Sequence, residues 1–125
     1  MADETIYMID QIITRPGHGR AFIDAYMEYY APGATARGLR LDRVLVSPPM
    51  WLEDQPNTIT ITWTVQGVSA WWGMTIMGRT DPALAQWWAD AGQWIAERSR
   101  SFASAFGDVE ALSNEALSNE ALSNV

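Results

Sequence analysis

Thr5-Ile6-Tyr7-Met8-Ile9-Asp10-Gln11-Ile12-Ile13-Thr14 decides the fold. The stretch is rich in β-forming residues and apolar on both alternating sets, with Tyr7, Ile9 and Ile13 on one face and Ile6, Met8 and Ile12 on the other. A strand apolar on both faces is covered on both. Asp10 and Gln11 interrupt the pattern, and a carboxylate among apolar neighbours needs a partner, because burying an unpaired charge is expensive.

Downstream, Arg15-Pro16-Gly17-His18-Gly19 breaks the strand. Phe22, Ile23, Tyr26, Met27 and Tyr30 then recur at helical spacing until Pro32-Gly33 ends the pattern. Leu39 to Val46 alternates again, with Leu39, Leu41 and Leu45 on one face and Val44 and Val46 on the other, before Ser47-Pro48-Pro49. Thr58 to Val65 is a strict period of two, Ile59, Ile61, Trp63 and Val65 against four threonines. A shorter helical piece surrounds Val68, Trp71, Trp72 and Thr75. Asp81 then caps, and Pro82 opens, a long helix in which Leu84, Trp87, Trp88, Ala91, Ile95, Phe102 and Phe106 track one face as far as Gly107.

The tail repeats Glu-Ala-Leu-Ser-Asn three times from Glu110. A period of five turns Leu112, Leu117 and Leu122 by about 140° per copy on a helix and flips them between strand faces, so no continuous core surface results. Asp108, Val109 and the first copy are expected as a short last strand. The folded domain is expected over 1–112, with 113–125 a repetitive, mobile extension.

Length and a 48% hydrophobic content suit one globular domain with a real core. The net charge of −7, eight arginines and no lysine against fifteen acids, argues against nucleic acid and anionic membrane. No apolar run approaches the ~20 residues of a membrane span, and the acidic N-terminus lacks the plan of a signal peptide, so a cytoplasmic address is expected. Without cysteine there are no disulfides, thiol nucleophiles or iron–sulfur sites.

The order strand, helix, strand, strand, helix pair, with a faint last strand, places helices on one sheet face only. The other face of the double-sided first strand is then best covered by the sheet of a second copy, which makes the chain a homodimer. Ile12-Ile13-Thr14-Arg15-Pro16-Gly17 running into the first helix, the strand Thr60-Ile61-Thr62-Trp63, and Asp81-Pro82 opening a tryptophan-bearing helix resemble the dimeric α+β barrel superfamily. Within it, the chain is similar to NIPSNAP-like and antibiotic-biosynthesis-monooxygenase-like small proteins. The resemblance implies an α+β, ferredoxin-like βαββα(β) subunit, an antiparallel sheet covered by helices on one face, and a ligand cavity between sheet and helices. Activities in that superfamily range from cofactor-independent oxygenation and polyketide cyclisation to haem chemistry, so the fold narrows function little.

Seven tryptophans in 125 residues fit either a core or an aromatic pocket. Candidate substrate-binding residues are Tyr7, Tyr30, Trp63, Trp71 and Trp72. Candidate catalytic residues are Tyr26 as phenolic donor, Asp10 as general base or as structural partner of an arginine, and Arg43 as anion clamp. Arg79, at the break between the helical pieces, is either solvated or at a cavity mouth. The lone His18 sits in a glycine-flanked loop and reads as a surface residue rather than a ligand, and the acids show no metal-binding spacing, so neither metal nor organic cofactor is expected. The expected function is binding and conversion of a hydrophobic aromatic or polycyclic small molecule. A non-catalytic carrier or sensor with the same pocket, and a purely structural role for the tryptophans, are the alternatives.

Overall fold

The double-sided strand lies inside the sheet. In the computed structural model, which describes residues 4–115, β1 (Thr5–Thr14) has β3 (Thr58–Gln66) on one side and β4 (Ile95–Ser104) on the other, with β2 (Arg40–Ser47) outside β3. All three pairings are antiparallel. The helices are α1 (Gly19–Ala25), continued through a π-helical turn, Tyr26–Tyr30, into α2 (Ala31–Ala36), then α3 (Gly67–Thr80) and α4 (Pro82–Ala91). Met8, Ile12, Ile59, Ile61 and Trp63 pack against Phe22, Tyr26, Ala34, Met74 and Trp87 in one core between sheet and helices. The subunit is the expected ferredoxin-like α+β fold.

Four local expectations are corrected. The first helix does not stop at Pro32-Gly33. Pro32 falls in the first turn of α2, after the π-helical turn, where a missing N–H is tolerated, and the helix runs on to Ala36. In β2 the register shifts between Leu41 and Arg43, so Leu41 faces the helices with Val44 and Val46 while Arg43 and Leu45 take the opposite face. The long helix ends at Ala91; Gly92 leads a turn closed by Trp94 N–H to Ala91 C=O at 2.9 Å, and β4 follows. The last strand is therefore Ile95–Ser104, not the first repeat copy: Phe106–Asp108 is a 3₁₀ turn and residues 109–115 are helical. Of the expected mobile extension, 113–115 continue that helix and the rest lies outside the described residues.

β4 escapes a hydrophobicity reading because it is an edge strand with few apolar residues. Its alternation is Arg98, Arg100, Phe102 against Glu97, Ser99, Ser101, Ala103, and the spacing of Trp94, Ile95 and Phe102 happens to continue the helical stripe of α4. Tertiary context decides the matter, since β1 has two ladders of hydrogen bonds to satisfy and β3 supplies one.

Two devices set the frame of the site. Gly67 adopts φ +83°, which lets β3 turn directly into α3, and its N–H reaches the Glu4 carbonyl at 2.8 Å. Asn57, 1% exposed, anchors the loop before β3: its amide donates to the Met50 carbonyl at 2.9 Å, its side-chain oxygen accepts from Leu52 N–H at 3.2 Å, and its N–H donates to Thr14 Oγ1 at 3.1 Å. Replacing Asn57 by Ala strips the loop of its side-chain partners in a buried setting, and urea unfolding should register a loss of about 2–3 kcal/mol.

Candidate functional site

The helix-facing rows of the sheet bring Arg100, Asp10 and Ile61 side by side. Asp10 is 2% exposed, and its partner comes from β4: Arg100 Nε donates to Oδ1 at 2.6 Å and Nη2 to Oδ2 at 3.0 Å. The Tyr26 hydroxyl, carried by the π-helical turn, donates to Asp10 Oδ2 at 3.2 Å and accepts from Trp63 Nε1 at 2.7 Å. Arg100 Nη2 also donates to the Tyr30 hydroxyl at 3.1 Å, which Arg37 Nη2 approaches at 3.5 Å. The result is a continuous polar chain, Trp63–Tyr26–Asp10–Arg100–Tyr30–Arg37, through the core.

Electrostatics order this chain. Burial, and then the Asp10 charge, push the Tyr26 phenol far above its ordinary value, so Tyr26 is a neutral donor. Burial alone would lower the Arg100 guanidinium, but the hydrogen bonds and charge of Asp10 outweigh it and hold the group firmly protonated. The Arg100 side chain keeps 30% of its exposure, so the chain meets solvent at Arg100.

Three hollows lie nearby, and Arg100 lines two of them. A groove of about 580 Å³ is lined by Trp71, Trp72 and Val68 of α3, Ile6 of β1, Phe102 of β4 and Leu112 of the C-terminal helix. Trp71 stands edge-on to Phe102, ring centroids 5.4 Å apart, and 4.7 Å from Trp72. The indole N–H groups of both tryptophans are buried without a partner among the described residues. A second chamber of about 340 Å³, lined by Arg37, Arg79, Arg100 and Phe102 with Met74 and Leu84, adjoins the groove through Phe102. A third of similar size lies between Trp88, Arg98 and Arg100, where the Arg98 guanidinium stacks 3.8 Å from the Trp88 ring.

The sequence candidates divide accordingly. Tyr26, Tyr30, Trp63 and Asp10 meet in the buried chain, and Trp71 and Trp72 line the groove. Tyr7 pairs with Thr64 and Ala103 on the opposite sheet face, so it is not beneath the helices as expected. Arg43 is flipped to that face by the β2 irregularity and pairs there with Asp42 at 3.2 Å, away from Asp10. Arg79 lines the second chamber. Arg100 was missed because it falls within the expected long helix; the alternation Arg98-Ser99-Arg100-Ser101 after Gly92 was the available signal. Among the described residues no three His, Cys, Asp or Glu side chains converge to hold a metal.

The strand order and one-sided helical cover define a ferredoxin-like α+β fold. No protein-family model and no curated protein sequence matches the chain. Its structure is similar to a NIPSNAP family protein of unknown function from Agrobacterium tumefaciens, with a TM-score of 0.65 and 11% identity over 82% of this chain and 89% of that one. It is also similar to a proposed antibiotic biosynthesis monooxygenase from Nitrosomonas europaea, TM-score 0.56 and 10% identity over 85% of this chain and 94% of that one. A third is SnoaB, a cofactor-independent oxygenase from Streptomyces nogalater, TM-score 0.50 and 9% identity over 82% and 93%. At such identities the likeness is one of fold.

The raised Tyr26 phenol has a pH signature. Its folded-state value lies above the ordinary 10.0, so its contribution to stability is fully present below pH 10.0 and falls as pH rises beyond it, where the unfolded chain releases the proton. Tyr26 phenolate absorbance should therefore appear only with unfolding, and Tyr26→Phe should flatten the alkaline loss of stability. Reversible ionisation of Tyr26 in the native state would contradict this.

Proposed function

We propose that the chain is a cytoplasmic, homodimeric small-molecule protein that holds a hydrophobic aromatic or polycyclic ligand in the groove under α3. There it converts the ligand without metal or organic cofactor, by oxygenation, cyclisation or isomerisation. The groove itself carries the reading: two adjacent indoles and a phenyl ring line it, and that ring, Phe102, also lines the chamber onto which Arg100 of the buried polar chain opens. In this reading the ligand's own acidity supplies the reactive anion, and Arg100 is the group that stabilises it. Asp10 and Tyr26, at 2% and 0% exposure, are positioning residues behind Arg100, and Arg43 and Tyr7 stand on the other sheet face. The fold likeness to a cofactor-independent oxygenase supports the reaction class by analogy alone.

A carrier or sensor using the same groove is the second reading. One observation favours it: the Tyr26 proton is already donated to Asp10, and at 0% and 2% exposure neither the phenol nor the acid is within reach of a ligand. The two readings part on whether a bound ligand changes with time.

Pairing through the sheet is supported by β1, whose Tyr7, Ile9 and Ile13 stay half-buried on the open face, and by Leu45 of β2, 56% exposed on the same face across β3. Serines and threonines of β3 and β4 flank them, which suits a close sheet-to-sheet contact. No helix among the described residues is long and apolar enough to cross a membrane.

Native mass spectrometry of the freshly purified chain should give a dimer, and Ile9→Arg should yield a folded monomer by circular dichroism; a wild-type monomer would overturn the pairing. Trp72→Ala should weaken an aromatic ligand that co-purifies, or is found by screening, by about tenfold or more. Unchanged affinity would exclude the groove. Product formed over time from that ligand supports the enzyme, and tight binding without product supports the carrier.

A further inference from the structure

We infer that the chamber lined by Arg37, Arg79 and Arg100 binds a carboxylate, so that the ligand is an apolar aromatic acid whose rings lie in the adjoining groove. The inference rests on the groove reading above and adds the charge of the ligand to it.

Over the whole chain fifteen acids outnumber eight arginines, yet three of the eight line this one chamber and no acid among the described residues does. Like charges gathered around a hollow repel one another unless an anion sits between them. Arg100 is already matched by Asp10. Neither Arg37 nor Arg79 has a carboxylate partner among the described residues. Arg37 is further under-used: its Nε is buried with no acceptor, while Nη2 reaches only the Tyr30 hydroxyl. A buried guanidinium N–H without an acceptor is costly. A fourth arginine, Arg98, stands next along the helix side of β4, its guanidinium pulled below its ordinary value by burial and then by repulsion from Arg100. The excess positive charge is local and built from three elements, α2, α3 and β4.

A carboxylate suits the chamber because it is planar and takes two parallel N–H donors from one guanidinium fork. Phe102 lines both the chamber and the apolar groove, so rings stacked near Trp71 and Trp72 can carry a carboxyl group past its edge toward the arginines. Met74 and Leu84 give the chamber apolar walls, which lower the local dielectric around a charged contact.

Calorimetric titration of the full chain with benzoate, naphthoate and anthroate, each beside its neutral primary amide, tests the inference. At least one acid should bind about tenfold more tightly than its amide. Arg79→Gln and Arg37→Gln should each weaken that acid about five- to tenfold and leave the amide within about twofold. Arg20→Gln, on exposed α1 beside Asp24, removes the same charge elsewhere and should change neither. Acid and amide binding alike, or an acid preference that survives both chamber variants, overturns the carboxylate site and leaves the groove reading standing. Failure of all acids and all amides to bind the folded protein overturns both.

Discussion

Everything in the site depends on one buried carboxylate in the middle of a four-stranded sheet. Asp10 occupies a helix-facing position of the inner strand β1, where an unpaired charge would be intolerable, and the pairing with Arg100 resolves that conflict across the β1–β4 ladder. Replacing both members together with apolar residues of similar size is often no less stable, so stability alone does not explain the pair. What the pair accomplishes is orientation. It fixes an arginine whose far edge stays accessible, braced from behind by Tyr26 and Trp63 and from the side by Tyr30.

The π-helical turn contributes to the same end. Phe22, Tyr26, Tyr30 and Ala34 all remain buried on one face despite Pro32, and two phenols one turn apart reach the two ends of the Asp10–Arg100 pair. A kink at the proline would have separated them. Tyr26 and Tyr30 are also stacked, ring centroids 4.6 Å apart, and lean on Trp63 and Trp87. Core packing and hydrogen bonding are thus two uses of the same rings, which is why composition could not separate them.

The architecture was legible where one face of an element is apolar and the other is not. β3 declared itself through four threonines against Ile59, Ile61, Trp63 and Val65, and the start of α4 through Asp81-Pro82, whose cap is present with Asp81 accepting from Ala83 N–H at 2.9 Å. β4 was not legible, because an exposed edge strand carries little hydrophobic signal and chance spacing of aromatics imitated a helix. That one misreading hid Arg100. Asp10, by contrast, announced a need for a partner that no local pattern could name, since the partner lies ninety positions away. The face assignments of Arg43 and Tyr7 depended on a bulge and on the side from which the helices pack, neither of which alternation reveals.

The groove wall has an unusual division of labour. Ile6, Phe102 and the two tryptophans belong to the sheet and α3, whereas Val109 and Leu112 come from the short helix after β4, at the start of the repeated sequence. Strand register and core packing constrain the first set, but nothing in the sheet depends on the second. Substitutions at Val109 and Leu112 can therefore reshape one side of the cavity without touching the fold. A lineage carrying this architecture can vary the shape of the groove from the margin of the domain.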